Sequence, residues 1–146
     1  TARDVSGSLV SNFTGTTLLT GWSNGPSITT NLFGALTFSN IVDGDYTLGY
    51  AIRPTVDLRV THLRHYEGTK VTIWTDTGTP VVTRTVSGIS GEWTETPLDV
   101  PVTLFAGQRY RVAYYTAGGG AYLSGVIETN FTHLNIESGY FSVGAA

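Results

Sequence analysis

The chain has 146 residues, a net charge of −3, 40 % hydrophobic and only 13 % charged residues, and neither cysteine nor methionine. That length fits one domain with a self-sufficient core. The composition argues against disulfides and Cys-bound zinc, against nucleic acid, which needs clustered Lys and Arg where this chain has one lysine, Lys70, and against a membrane helix of ~20 apolar residues.

Residues 1–31 are polar, with Leu9, Val10, Phe13, Leu18, Leu19, Trp22 and Ile28 scattered in no sustained period. Gly21, Gly25 and Pro26 interrupt them further. This predicts an extended arm with one or two short strands, ahead of a β-domain over 32–146. Residues 32–41 read as a strand. Val42-Asp43-Gly44-Asp45 reads as a hairpin turn, Asp-Gly being a strong signal for one. Tyr46, Leu48, Tyr50 and Ile52 then alternate with Thr47, Gly49, Ala51 and Arg53, as on a half-buried strand. Leu58 and Val60 share a face, but Leu63 is one step out of phase, so a β-bulge is expected near Thr61-His62.

Glu67-Gly68-Thr69 turns the chain into Val71–Trp74, and Asp76–Pro80 turns it again into Val81–Val86. Trp93 follows the Ser90-Gly91 turn and is expected in the core. In 97–115 the apolar Leu98, Val100, Val102 and Leu104 recur at every second residue, Phe105–Gln108 turns, and Tyr110, Val112 and Tyr114 resume the alternation. This reads as a hairpin whose first arm is an edge strand, because Pro97 and Pro101 cannot donate ladder hydrogen bonds. Gly118-Gly119-Gly120 reads as a flexible loop. The last strands are expected at 122–127 and 140–143, with a loop at 130–138. No helical period is sustained anywhere. Short strands at regular intervals predict a single all-β domain, an antiparallel β-sandwich or jelly roll. No signal peptide is evident. The absence of Met at position 1 fits a mature product, an excised domain, or removal of the initiator ahead of Thr1.

From Asp45 to Tyr115 the chain carries Tyr46-Thr-Leu-Gly-Tyr50-Ala-Ile52, Leu58-Arg-Val60-Thr-His-Leu63, Val71-Thr-Ile73-Trp74-Thr-Asp76-Thr-Gly78, Trp93, and Pro101-Val-Thr-Leu104-Phe-Ala106-Gly107-Gln-Arg-Tyr110. This resembles an uncharacterised β-sandwich domain of secreted bacterial and archaeal multidomain proteins. The L-x-A-G-x-x-Y return also recurs in carbohydrate-binding modules. The resemblance implies an extracellular adhesion or carbohydrate-binding accessory role without enzymatic residues. Similar sandwiches also look like the structural or receptor-reading domains of phage particles.

Trp74 ends a strand whose Val71 and Ile73 point inward, so it should face outward, either as a sugar platform or as cover for the hairpin edge. Tyr115 and Tyr122 flank the triple glycine, where loops on a rigid sheet concentrate binding residues. Trp74, Tyr115 and Tyr122 are therefore the candidate ligand-binding residues. Phe13, Leu18, Leu19, Trp22 and Ile28 are candidate contacts, either to the chain's own sandwich or to another copy of it. His62, His65 and His133 lack a telling third ligand for zinc, although His65-x-Glu67 adds a carboxylate. Asp43 and Asp45 form a weak calcium candidate, with a plain Asp-Gly turn as the alternative. No G-x-S-x-G or H-E-x-x-H motif occurs. The expectation is a non-enzymatic module that binds a glycan or cell-surface polymer, at the cell surface or outside it. The alternative is a structural subunit of a virion or surface filament that assembles through the arm.

Overall fold

The structure, a computed structural model, describes residues 10–13, 17–20, 29–31, 40–122, 130, 131 and 133–146, with side chains described at 43–120 and 133–146. The described residues form strands and turns with no helix. Two large sheets dominate. The first contains β1 (Val10–Phe13), β2 (Thr17–Thr20), β3 (Thr29–Asn31), β6 (Leu58–His65) and β9 (Thr94–Leu104), in the order β3-β1-β2-β6-β9. The second contains β5 (Tyr46–Pro54), β7 (Lys70–Thr75), β8 (Pro80–Thr85), β10 (Tyr110–Tyr115), β12 (Asn130–Phe131) and β13 (Leu134–Val143), in the order β12-β13-β5-β10-β7-β8. A two-stranded ribbon pairs β4 (Asn40–Gly44) with β11 (Gly118–Tyr122).

The core lies between the large sheets, which makes the domain a β-sandwich. Leu58, Val60, Leu63, Leu98 and Leu104 enter it from β6 and β9. Ile52, Val71, Ile73, Val112, Leu134 and Ile136 enter it from β5, β7, β10 and β13. Burying each of the larger side chains contributes about 1.5–3 kcal/mol. The bulge in β6 falls where the phase break put it. Leu18 faces His62 while Leu19 faces Val60, so Thr61 is the extra residue. Across from it, Val60 pairs with Val102 but His62 pairs with Pro97, so Leu98–Pro101 stand opposite Thr61 alone. That wide bulge breaks the expected alternation in β9, and Val100 points out, 73 % exposed.

The 97–115 segment is not a hairpin. β9 pairs with β6 in one sheet and β10 pairs with β5 and β7 in the other, so the chain crosses the sandwich as an arch. The two prolines of β9 weaken any ladder it could offer to β10. Tyr110 carries its hydroxyl back to the turn, where it accepts from the Phe105 amide at 2.9 Å. The Gly107 amide donates to the Pro54 carbonyl and the Ala106 amide to Asp57, which closes the arch on the β5–β6 connection.

Three further expectations are corrected. Gly44 makes no hairpin; at φ +118° it ends β4, and Asp45 alone separates that strand from β5 in another sheet. The triple glycine is strand β11 rather than a loose loop, because its backbone pairs with β4. Thr116 fastens the junction: its hydroxyl donates to the Gly44 carbonyl and accepts from the Tyr46 amide. The expected loop at 130–138 is largely strand. β12 and the start of β13 pair as a short hairpin, and a register shift between Ile136 and Ser138 lets one strand contribute Ile136 inward and Tyr140 outward. The described parts of the 1–31 arm are strands of the first sheet. β1 pairs antiparallel with β2 and parallel with β3, and β2 is hydrogen-bonded to β6 of the same chain.

Candidate binding site

Where β6 runs into β7, the turn at Glu67-Gly68 meets the 88–90 loop and the start of β11. The three segments enclose a cleft of about 220 Å³ whose lining includes His65, Tyr66, Glu67, Thr69, Ile89, Ser90, Thr116 and Ala117, with glycines between them. Local chemistry explains its shape. Gly68 sits at φ +89°, and the Thr69 amide donates to the Tyr115 carbonyl, drawing the turn against β10. Glu67 folds back onto the opposite loop, where its Oε1 accepts from both the Ser90 hydroxyl and the Gly91 amide at 2.9 Å. Ala117 is held at φ +51°, a left-handed conformation that costs a side-chain-bearing residue about 1–2 kcal/mol. Strain of this kind tends to persist at functional sites.

His65 lies at the base of the cleft and is only 1 % exposed. Its Nδ1 is 3.3 Å from the Glu67 backbone carbonyl, which can only accept, so Nδ1 carries the proton. Nε2 is then an unprotonated acceptor, buried and without a partner among the described residues. Burial holds the imidazole below its ordinary pKa, against the opposing pull of the Glu67 carbonyl and carboxylate, and so keeps the ring neutral.

Trp93 is half-buried beside this cleft rather than in the core. Its ring meets Tyr66 edge-on at 5.3 Å, and the Arg64 guanidinium lies 4.3 Å from its centroid. The packing supports Tyr66 from behind. Burial lowers the Arg64 pKa, partly offset by Glu95 at 3.9 Å.

Trp74 and Tyr115 share the outer face of the second sheet, as alternation with Val71, Ile73 and Tyr114 requires. They do not form one platform. Trp74 is opposite Arg111, four residues from Tyr115 and therefore about 13 Å away along the strand. Lys70 Nζ lies 5.6 Å from the Tyr115 ring centroid, and burial followed by the Asp45 charge raises the Tyr115 hydroxyl pKa. Tyr122 ends β11 opposite Asn40, and its side chain is outside the described residues. Between Trp74 and β13 runs an ion-pair chain that sequence spacing could not reveal. Arg53 and Arg109 both hold Glu137, and Arg109 and Arg111 both hold Asp76. Hydrogen bonds from Arg53 and then Arg109 lower the Glu137 pKa; Arg109 and then Arg111 lower that of Asp76.

Asp43 is exposed on β4, and Asp45 uses its carbonyl to accept from the Gly144 amide. Among the described residues no three His, Asp or Glu side chains gather as a metal site. Phe13 lies on β1 and Leu18 and Leu19 on β2, with their side chains undescribed; Trp22 and Ile28 are outside the described residues. One signal for the cleft was legible beforehand, the His65-x-Glu67 pair, but Ser90 and Thr116 are brought to it only by the fold.

Comparison with known proteins gives one relationship. A family model described as a domain of unknown function (DUF4082) matches residues 36–145. The match extends beyond the Asp45–Tyr115 stretch that carries the sequence resemblance, on both sides. No curated protein and no solved structure matches the chain.

Proposed function

The chain therefore belongs to that family of unknown function, and on this premise we propose that it is a non-enzymatic module that binds a glycan at the cell surface or outside the cell. The cleft at the β6–β7 turn carries the reading. It combines a supported aromatic ring, Tyr66, with a carboxylate and hydroxyls from Glu67, Ser90 and Thr69. Sugars are bound by this mixture of an apolar face and a few placed polar groups. At about 220 Å³ the cleft is smaller than the ~300–1,000 Å³ typical of drug-sized ligands. It suits one sugar ring, so the module would take a chain end rather than lie along a polymer. The resemblance to domains of secreted multidomain proteins supports the same setting. The test is a glycan array followed by amide chemical-shift mapping. Shifts centred on Tyr66, Glu67, Ser90 and Ala117 support the reading. Binding mapped to Trp74 and Tyr115 instead would move the site to the sheet face, and no binding to any glycan would reject it.

A second reading, a structural subunit of a virion or surface filament, is favoured by one observation. Phe141 and Val143 on β13 are 71 % and 80 % exposed, and Phe141 packs edge-on to Tyr46 at 6.5 Å. An apolar strand end of this kind suits contact with another copy. Light scattering decides: a stable oligomer that Phe141→Ser and Val143→Ser dissolve supports the subunit, and a monomer at all concentrations rejects it.

A further inference from the structure

We propose that the cleft selects an amine-bearing sugar over its neutral and acidic counterparts, with the Glu67 carboxylate as the selecting group. The proposal rests on the glycan reading and names its ligand class.

The charge balance of the site carries the argument. Glu67 is the one acidic or basic side chain among the described residues lining the cleft, apart from the neutral His65. Its Oε1 is already taken by Ser90 and Gly91, which hold the carboxylate in a fixed orientation. Oε2 has no hydrogen bond among the described residues, so the free half of a positioned anion is left for a ligand. Among the described residues, the two cations next to this segment in the sequence are engaged elsewhere. Arg64 is stacked on Trp93 and paired with Glu95, and Lys70 donates to the Ala146 carbonyl while lying over Tyr115. Among the described residues no lysine or arginine therefore lines the cleft to receive a ligand carboxylate or sulfate.

His65 adds no cation to the site: its Nδ1 donates to the Glu67 carbonyl and its Nε2 is buried away from solvent. The Glu67 carboxylate accepts hydrogen bonds and donates none, so a ligand that brings donors to it is matched and one that brings acceptors is not. A protonated amine supplies three donors and the opposite charge. Its hydrogen bond to a carboxylate is about twice as strong as a neutral one. Because the site is small and partly walled from water, screening by salt is weaker than for an exposed pair.

The experiment titrates the protein with three probes by calorimetry: a glucosamine disaccharide with free amines, its N-acetylated form, and glucuronic acid. Mildly acidic buffer keeps the amines protonated. The free-amine sugar is expected to bind about tenfold more tightly than the N-acetylated one, and glucuronic acid not at all. Glu67→Gln, which keeps an oxygen for Ser90 and Gly91, should erase the preference of the free-amine over the N-acetylated sugar. If that variant does not fold, the ranking of the three probes on the native protein decides by itself. Equal or tighter binding of the N-acetylated or acidic sugar overturns the selectivity while the glycan reading stands. If no sugar binds but ethanolamine does, and Glu67→Gln abolishes it, the glycan reading falls while the amine preference of the cleft holds. Binding of none of the four probes overturns both.

Discussion

Replacing Gly68 with alanine tests how tightly the β6–β7 turn is held against β10. Two costs add. Gly68 sits at φ +89°, so any L side chain there carries left-handed strain of about 1–2 kcal/mol. An added Cβ would also fall 2.5 Å from the Tyr115 carbonyl oxygen and closer still to the Tyr114 ring. Overpacking of this kind costs about 1–3 kcal/mol. Against this, Gly→Ala reduces unfolded-state entropy by about 0.4–1 kcal/mol. The net loss is about 3 kcal/mol, within a range of about 1–5. For a chain of this length that is a drop of about 10 °C in Tm. Gly107→Ala is the control. Gly107 also has a positive φ, +75°, but nothing lies within 4 Å of its would-be Cβ, so only strain and entropy change. Its expected cost is about 1 kcal/mol. Urea denaturation of both variants isolates the steric part as their difference. If Gly68→Ala costs no more than Gly107→Ala, the turn does not rest on Tyr114 and Tyr115, and the account of the cleft wall is wrong.

Burial keeps His65 neutral, so its pKa in the folded protein is depressed, and the unfolded chain binds that proton first as pH falls below about 6.5. The stability it contributes is present above that pH and lost as pH falls toward the folded value; a His65→Gln variant should show a flatter profile between pH ~7 and ~5 by urea denaturation. Tyr110→Phe removes the hydroxyl that accepts from the Phe105 amide across the arch, and is expected to cost about 1–3 kcal/mol; an unchanged urea midpoint would count against the arch. Leu63→Ala, at a fully buried β6 position, should cost about 2–5 kcal/mol in the same assay. Treatment with EDTA should leave Tm unchanged, and a large drop would point first to Asp43 and Asp45.

Much of the fold was legible because it is written in local alternation. Val71, Ile73, Val112 and Tyr114 went inward and Trp74 and Tyr115 outward, since a strand's side chains have no other option. The bulge in β6 showed itself as a phase break between Val60 and Leu63. Pairing was less legible. The Asp43-Gly44 and Phe105–Gln108 turns look like hairpins, yet each leads into a strand of another sheet. A turn signal records where the chain bends; which sheet the next strand joins depends on partners tens of residues away. The ion pairs among Arg53, Asp76, Arg109, Arg111 and Glu137 were hidden for the same reason, because β13, β5, β10 and β7 become neighbours only in the sheet. The sequence by itself determined an all-β chain, the inward residues of β7 and β10 and the site of the β6 bulge, all consequences of a two-residue period. Only the tertiary structure decided that Glu67 would meet Ser90, that His65 would be buried and neutral beneath them, and that Trp74 and Tyr115 would stand apart, because these are contacts between segments whose separation carries no local signal.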